Sequence, residues 1–442
     1  MFYSKEISFY IISLGCSKNL VDSERINGEM MSAGYKPADS AEEAGIIIIN
    51  TCGFIRPAKE ESIEVILDAL SLKEEHGESL QLVEEDHFAK KIVVTGCLSK
   101  RYFEELSSDI PEIDFIYGIP DDDFVHKFSE SFHIRIKSPI HERRRLYTGP
   151  SFSYVKISDG CSNNCSYCAI PLIRGPHIPF SPDFILEEAV NAAADGALEL
   201  NIIAQDIAAY NWEGLRLPGL VDKISKIESI KWIRLLYCHP DHLTDDIIEL
   251  ISENEKVVPY IDIPFQHVNS DILRSMGRSG SPAKYYDLVS RLRERVPGIC
   301  IRSTFMLGYP GEREKHFHEL LSFIQKARLD KVGCFTYSPE EDTKASFLRD
   351  SISPKEKDRR VSELMALQME ISSEKLASYI GTDVEVLVED KIDDKTYVGR
   401  TRYDAPEVDG VFYLTADVNR INNIVRARVT DSVEYDLIGE II

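Results

Sequence analysis

Gly160-Cys-Ser-Asn-Asn-Cys-Ser-Tyr-Cys168 places three cysteines within a few residues, separated by gaps of three and two positions. A structural zinc site or an ordinary ferredoxin cluster is closed by four protein ligands, whereas three thiolates leave one metal position open. The next candidate ligand downstream is His177, beyond a Pro and an Arg-Gly pair. Cys161, Cys165 and Cys168 therefore indicate a four-iron four-sulfur cluster with one bare iron; the alternative is a zinc knuckle lacking one ligand, or surface thiols beside a turn.

The same motif resembles the signature of the radical S-adenosylmethionine (SAM) enzymes, including the aromatic residue before the last cysteine, here Tyr167. The resemblance implies that SAM chelates the bare iron through its amino and carboxylate groups. One electron passed from the cluster into the sulfonium would then release a 5′-deoxyadenosyl radical. We therefore expect the three cysteines to hold a radical-generating cluster.

The composition indicates a large acidic enzyme of several domains. The chain has 442 residues, and 51 basic against 74 acidic residues give a net charge of -23, which disfavours general attraction to nucleic acid or anionic membranes. The sequence shows no apolar run of roughly 18 residues and no signal-peptide pattern, so we expect a cytoplasmic chain with no membrane association. Nine cysteines at irregular spacing favour thiolate ligands over a disulfide framework.

Candidate strands alternate with helical patterns through residues 1–120, which predicts an open, mostly parallel sheet. The carboxyl ends of such strands share one edge, where ligands bind. Three of the strands are each followed within two residues by a cysteine: Ile7–Leu14 by Cys16, Gly45–Asn50 by Cys52, and Lys91–Thr95 by Cys97. We interpret the three thiols as ligands of a second cluster; the alternative is three buried core thiols, since free Cys packs as a small hydrophobe.

Residues 121–146 read as an interdomain linker that includes Arg143-Arg144-Arg145, and Lys73–Lys91 reads as a solvated insertion. Residues 147–376 alternate six strands with helices, which predicts a partial (β/α)6 barrel with its function at the carboxyl ends of the strands. The strands are Tyr154–Ile157, Leu198–Ile203, Trp232–Leu236, Tyr260–Ile263, Ile299–Met306 and Lys331–Phe335. Cys238, Cys300 and Cys334 lie in or at the end of these apolar runs and are interpreted as packing residues.

Residues 377–442 predict a small antiparallel β-barrel of OB-like size, because short runs rich in Val, Ile and Tyr are broken by turn residues. This stretch carries seven Lys and Arg against fourteen Asp and Glu. A barrel that grips RNA should present a basic face, because phosphate neutralisation dominates affinity. An acidic barrel therefore favours a basic protein partner.

Together these features resemble the methylthiotransferase family, which has an N-terminal three-cysteine domain, a radical SAM core and a C-terminal TRAM domain. Several strings favour the branch that modifies a small-subunit ribosomal protein over the branch that modifies tRNA. The tRNA branch would show Gly-Cys-Gln-Met-Asn around the first cysteine and Gln-Asn after the second barrel strand, and neither is present. The strings are Ser13–Glu24, Gln205-Asp206, Asp262–His267, Val332–Pro339 and Asp404–Gly410.

The resemblance implies that the β-carbon of one aspartate in ribosomal protein S-twelve receives a methylthio group. A side-chain base cannot break that strong C–H bond, so a carbon radical is required and the cofactor does the difficult chemistry. The implied cofactors are two 4Fe-4S clusters and SAM, which serves as radical source and as methyl donor, while the N-terminal cluster delivers the sulfur. The implied partners are the ribosomal protein or the small subunit, an electron donor and a sulfur donor, with no direct tRNA binding.

By similarity to radical SAM cores, Gln205 and Asp206 after the second barrel strand are expected to contact SAM. Gly308 and Gly311, in the loop after the fifth strand, are expected to admit its backbone contacts. The alternatives are a helix cap at Asp206 and an ordinary turn at the Pro-Gly pair.

Gln266 and His267 follow the fourth barrel strand, where we expect them to face the substrate, and a purely structural histidine is the alternative. Two other functions remain open at this point. One is a tRNA adenosine methylthiotransferase, and the other is a non-catalytic iron–sulfur module or redox sensor, which a six-unit barrel bearing an open-iron motif argues against.

Overall fold

The structure is a computed structural model that falls into two compact units. The first contains residues 1–147 and 169–176, and the second contains residues 148–168 and 177–442. In the part of the chain that is described, no helix is both long and apolar enough to cross a bilayer. The described residues are 7–80 (side chains to residue 73), 89–136, 144, 151–417 and 419–442, which leaves Glu84–His87 of the predicted insertion and Arg143 and Arg145 of the predicted linker outside them.

The first unit is built on a five-stranded parallel sheet in the order β2, β1, β3, β4, β5. Helices cover both faces, which buries the central strand along its whole length, as is usual for parallel sheets. Its elements are β1 Ser8–Ser13, α1 Ser17–Ala33, β2 Lys36–Pro37, β3 Ile46–Thr51, α2 Arg56–Leu80, β4 Lys91–Gly96, α3 Cys97–Arg101, α4 Phe103–Asp109, β5 Phe115–Ile116, α5 Phe124–Ser131 and α6 Ile170–Arg174.

Part of the predicted linker, from Phe124 to Ile134, belongs to the core of the first unit. Phe124, Val125 and Phe128 of α5 are fully buried, and Ile134 packs in the same cluster. Rings of Phe124 and Phe128 lie 5.4 Å apart between centroids. The packed unit therefore extends at least to residue 134, because the apolar face of this short helix is concealed in the sequence by the acidic run that precedes it.

The second unit contains a six-stranded parallel sheet in the order β6, β9, β12, β13, β14, β15, flanked by helices. Each of the six strands predicted from the sequence is present. The elements are β6 Phe152–Lys156, β7 Ser158–Asp159, β8 Ile178–Pro179, α7 Pro182–Ala194, β9 Glu199–Ile203, β10 Asn211–Trp212, β11 Leu215–Arg216, α8 Leu217–Ile224, β12 Trp232–Leu235, α9 Asp245–Glu253, β13 Val257–Asp262, α10 Ser270–Ser275, α11 Pro282–Arg295, β14 Cys300–Leu307, α12 Glu314–Ala327, β15 Lys331–Thr336 and α13 Pro354–Ala377.

The three cysteines assigned to packing lie in this core. Cys238 and Cys300 are buried, and Cys334 is half-buried. Burial raises the pKa of each thiol above its usual range, which keeps it neutral. These positions fit the interpretation of inert packing residues.

The C-terminal barrel is closed by five strands in the order β16, β17, β18, β20, β19. Four of its five pairings are antiparallel, as the sequence predicts, and the pairing of β18 with β20 is parallel. The strands are β16 Asp383–Lys391, β17 Thr396–Thr401, β18 Phe412–Thr415, β19 Asn423–Ser432 and β20 Leu437–Ile441.

A loop of this barrel, residues 400–409, closes the amino end of the six-stranded sheet, and we call it the plug. Glu199, the first residue of β9, accepts hydrogen bonds from Arg234 Nε and from Arg400 Nη2, both at 2.7 Å. All three side chains are almost completely buried. The glutamate thus sits between two guanidinium groups, one from the sheet and one from the plug.

Further along the plug, acidic side chains pair with strands of the same sheet. Lys331 Nζ donates to Asp404 at 2.7 Å, and Tyr260 donates to Asp409 at the same distance. Tyr154 of β6 donates to Glu407, also at 2.7 Å. The string Asp404–Gly410 therefore has a structural role that the sequence did not indicate, and its carboxylates are engaged within the chain.

Candidate functional site

The structure brings Cys16, Cys52 and Cys97 together at the carboxyl edge of the first sheet. The chain is so tight there that a Cβ added to Gly15 would lie 2.8 Å from Cys52 Sγ. A Cβ on Gly53 would lie 3.0 Å from the carbonyl carbon of Cys97. The three thiols therefore converge, as expected of residues that follow neighbouring parallel strands.

Burial dominates the acidity of these thiols. It raises the pKa of Cys52 to about 12, and the neighbouring Cys16 and Cys97 add to the effect. Burial also raises the pKa of Cys97, although Arg174 opposes it. Two of the three sulfur atoms are thus protonated unless a cation replaces the proton.

Asn19 joins the segments that carry these cysteines. Its Nδ2 donates to the carbonyl oxygens of Leu14, at 3.0 Å, and Thr51, at 2.9 Å. Its Oδ1 accepts from Arg174 Nη2 at 2.7 Å and from Cys97 Sγ at 3.5 Å. Sequence reasoning assigned Asn19 no role. The local signal is an asparagine three residues after Cys16, in the first turn of α1.

The segment that carries Cys161, Cys165 and Cys168 is anchored through Ser166. The amide of Ser166 donates to Met276 O at 2.8 Å, and its Oγ donates to Ser275 O at 2.8 Å. Its carbonyl oxygen accepts from the amide of Ala345 at 2.7 Å, and Tyr309 Oη lies 2.9 Å from its Oγ. The backbone between the second and third cysteines is therefore held by hydrogen bonds to three separate loops of the second unit.

Gly277 leaves room for this cysteine loop. Its φ of +72° is in the left-handed region, and a Cβ there would lie 2.5 Å from the carbonyl oxygen of Asn164. Backbone cannot yield as a flexible side chain would, so only glycine fits. Sequence reasoning missed this residue, which stands in the glycine-rich string Met276-Gly-Arg-Ser-Gly280.

Arg278, next in the chain, places a buried positive charge beside the loop. Its Nη1 lies 3.8 Å from Cys165 Sγ and donates to Tyr167 Oη at 3.3 Å. Its Nη2 donates to Pro264 O at 2.8 Å. The positive charge of Arg278 stabilises negative charge on the nearby thiolates. Its hydrogen bond also satisfies the buried hydroxyl of Tyr167, the residue before the last cysteine.

Asp206 is buried and accepts hydrogen bonds from three residues in two loops. Its Oδ1 accepts from the amide of His239 at 3.2 Å, and its Oδ2 accepts from Asn163 Nδ2 at 3.0 Å. His242 Nδ1 lies 2.5 Å from the same Oδ2. Burial raises the pKa of Asp206, but the hydrogen bonds from His242 and Asn163 outweigh it and hold the pKa below its usual range. The side chain does not cap the short helix that follows it.

Two glutamines at the carboxyl edge carry buried acceptors without partners. Oε1 of Gln205 and Oε1 of Gln266 make no hydrogen bond within the described residues. The backbone of Gln266 has a φ of +68°, and it is held there by hydrogen bonds with Thr304 O and the amide of Met306. A buried acceptor without a hydrogen-bond partner is costly, and a bound ligand is one way to satisfy it.

The remaining predicted contacts occupy different environments. A Cβ on Gly308, where φ is +75°, would lie 2.4 Å from the side chain of Lys357, whereas a Cβ on Gly311 would meet nothing within 4 Å. His267 is fully buried, and its Nδ1 accepts from the amides of Val268 and Asn269. Burial lowers its pKa to about 3, so the ring is neutral and holds a turn.

Three family models match the chain in succession. Residues 8–118 match the uncharacterized protein family UPF0004, residues 155–324 match the radical SAM superfamily, and residues 380–442 match the TRAM domain. A radical S-adenosylmethionine methyltransferase, TsrM from Kitasatospora setae, shares the fold with a TM-score of 0.55 at 12% identity, over 82% of this chain and 91% of that one. The fold and the three-cysteine loop define the class as a radical SAM enzyme.

Curated relatives narrow the class further. Ribosomal protein uS12 methylthiotransferase RimO of Thermoanaerobacter sp. (strain X514) is 41% identical, over 97% of this chain and 99% of the relative. The protein of the same name from Bacteroides fragilis (strain YCH46) is 40% identical, over 98% of each chain. The chain belongs to the RimO family of radical SAM methylthiotransferases.

Proposed function

We propose that this chain transfers a methylthio group to the β-carbon of an aspartate in uS12, the S-twelve protein of the small ribosomal subunit. One observation carries the proposal: two separate sets of three cysteines lie at the carboxyl edges of two different parallel sheets. Such a chain can hold two clusters that each retain an open iron. The names of its relatives support uS12 as the substrate.

The cysteines suit two clusters in both number and environment. Cys161, Cys165 and Cys168 would hold the cluster that binds SAM, and Cys16, Cys52 and Cys97 would hold the second. Because burial keeps several of these thiols protonated, cluster assembly should release protons. Cys161, Cys165 and Cys168 would thus hold the group whose electron, passed to SAM, would give the radical that removes the β-hydrogen, and Cys16, Cys52 and Cys97 would hold the group that would supply sulfur.

The chain itself contributes acceptors and a fixed loop. Gln205 and Gln266 offer buried amide oxygens to SAM or to the substrate, and Gly311 leaves space for an approaching ligand. Asp206 acts through Asn163 to position the cysteine loop, since its oxygens are occupied by protein donors. Gly308 and His267 contribute turn geometry.

The acidic C-terminal barrel supports a basic protein partner. Carboxylates of the plug are used within the chain, so the surface left for uS12 is formed by side chains outside it, such as the exposed Asp393, Asp394 and Asp417. An electron donor and a sulfur donor complete the set of proposed partners.

The proposal is tested by running reduced, reconstituted enzyme with SAM on isolated uS12, on the small subunit and on bulk tRNA. Mass spectrometry should show one methylthio group in place of one hydrogen on an aspartate of uS12. Methylthiolated adenosine in the tRNA, with no mass gain on the protein, would refute it in favour of tRNA modification.

A further inference from the structure

Three histidines interact with the carboxylate of Asp206 at the carboxyl edge of the six-stranded sheet. His242 contacts it through Nδ1, the His239 amide donates to it, and the charge of Asp206 acts on His177. The side chain of His242 is 40% exposed, whereas that of Asp206 is only 2% exposed. The histidine ring is therefore held from beneath by a buried carboxylate and faces solvent on its other side.

The three rings differ in charge. The hydrogen bond that His242 donates to Asp206 raises the pKa of His242, while burial lowers the pKa of His239 to about 4 and also lowers that of His177. Of the three rings, His242 is thus the one whose protonated form its surroundings favour. His242 donates its Nδ1–H to Asp206. Its Nε2–H has no hydrogen-bond partner among the described residues.

Other cations near this edge are engaged. Lys284 Nζ donates to Asp241 at 2.8 Å, Lys156 Nζ lies 3.2 Å from Asp159, and Arg278 is committed to Tyr167 and Pro264. The Oδ2 that holds His242 also holds Asn163, which lies between Cys161 and Cys165. The exposed ring of His242 is therefore linked to the cysteine loop through a single group, the carboxylate of Asp206.

We propose that His242, held by Asp206, binds the carboxylate of the aspartate that is to be modified and so selects an acidic side chain over a neutral one. The inference rests on the proposed function. Its chemistry is a charge-assisted hydrogen bond from Nε2–H to the substrate carboxylate. In this arrangement Asp206 is a positioning residue, because it acts on the substrate only through the ring.

The test is a four-way comparison with the reconstituted holoenzyme. Dissociation constants are measured for uS12 with Asp or with Asn at the target position, using the unaltered enzyme and His242→Gln. The unaltered enzyme should prefer Asp by about 10-fold to 100-fold, the range for a hydrogen bond to a charged group. In His242→Gln, which keeps a polar group near Asp206 without a charge, the preference should fall to within a few-fold of unity.

Two further variants separate recognition from general damage. His126→Gln removes an exposed histidine of α5 and should leave the preference unchanged. His242→Lys restores a cation and should recover part of the preference, which a merely structural role of the ring would not predict. Iron content per chain is measured for each variant to show that the clusters are intact.

The outcomes are distinguishable. If the unaltered enzyme modifies uS12 but His242→Gln retains its full preference for Asp, the inference is wrong and the proposed function stands. If the unaltered enzyme does not modify uS12 at all, the proposed function fails and takes the inference with it. Loss of the preference in His242→Gln with partial recovery in His242→Lys supports both.

Discussion

The two ends of the six-stranded sheet differ in the hydrogen-bond partners of their buried polar side chains. At the amino end, Glu199 is saturated by Arg234 and Arg400, and Lys331 has Asp404. At the carboxyl end, amide oxygens of Gln205 and Gln266 lack partners. The amino end is not fully satisfied either, because Arg402 Nε of the plug is buried without a hydrogen-bond partner among the described residues. The difference lies in the buried charged pairs, which close the amino end, whereas the two free acceptors at the carboxyl end can accept hydrogen bonds from a ligand.

Uncommon backbone conformations occur at both ends of the sheet, since Glu407 of the plug has a φ of +67°. Tyr237 and Gln266, both just beyond the carboxyl ends of strands, have φ values of +67° and +68°. Residues other than glycine seldom adopt this region, and such strain is concentrated at functional sites. Asp262 stabilises the first of them by accepting the amide of Tyr237 at 3.2 Å.

The largest effect should come from the carboxyl end. Cys161→Ala removes a ligand of the proposed SAM-binding cluster and should abolish reductive SAM cleavage. Cys52→Ala should spare much of that cleavage and stop sulfur insertion. Cleavage is measured by chromatography of 5′-deoxyadenosine.

Iron analysis checks whether Cys16, Cys52 and Cys97 hold a second cluster. The triple variant with alanine at Cys16, Cys52 and Cys97 should lose about half of its iron, because one of two clusters is gone. Iron content that remains at the level of the unaltered protein would eliminate the second cluster site.

A substitution at the amino end should lower the free energy of unfolding and leave the reaction itself unaffected. Glu199→Ala leaves the buried guanidiniums of Arg234 and Arg400 without their shared partner, and breaking a buried ion pair costs about 3–5 kcal/mol. Denaturant unfolding measures the change. Asp417→Ala is the matched control, since its exposed pair with Lys395 should contribute little.

The same network connects the C-terminal barrel to the six-stranded sheet. A domain at the chain end without such contacts could be removed with no harm to SAM cleavage. The plug predicts instead that deletion of 381–442 destabilises the core, because Lys331 and Glu199 would lose buried partners. A soluble truncated chain with full cleavage activity would contradict this account.

A smaller effect should come from the glycine beneath the cysteine loop. Gly277→Ala adds left-handed strain and a clash with Asn164 O, so it should cost about 1–3 kcal/mol and reduce SAM cleavage. Gly298→Ala provides the comparison, because its φ is +75° but a Cβ there meets nothing within 4 Å. Equal losses in the two variants would show that strain alone, without the contact, sets the cost.

The smallest effect concerns pH. The hydrogen bond that His242 donates to Asp206 raises the pKa of His242, and the charges of Asp206 and Asp241 support the rise. Burial and Arg278 oppose it, and His239 and His177, whose pKa values burial lowers, also interact with Asp206. The protonated ring is present below that raised pKa and is lost above it. Affinity for uS12 should therefore fall as pH rises past the usual histidine range of about 6.5, and this step should be absent in His242→Gln.

The sequence by itself determined the six strands of the second unit and the placement of all six cysteines after strand ends, because strand periodicity and the shared edge of parallel strands follow from local backbone geometry. It assigned helix α5 to a linker, since Phe124 and Phe128 show their burial only against the sheet. Tertiary structure alone decided that Asp206 holds His242 and that Arg400 meets Glu199, some two hundred positions away in the chain. Such pairs depend on which faces pack together, and no local pattern records the partner of a buried charge.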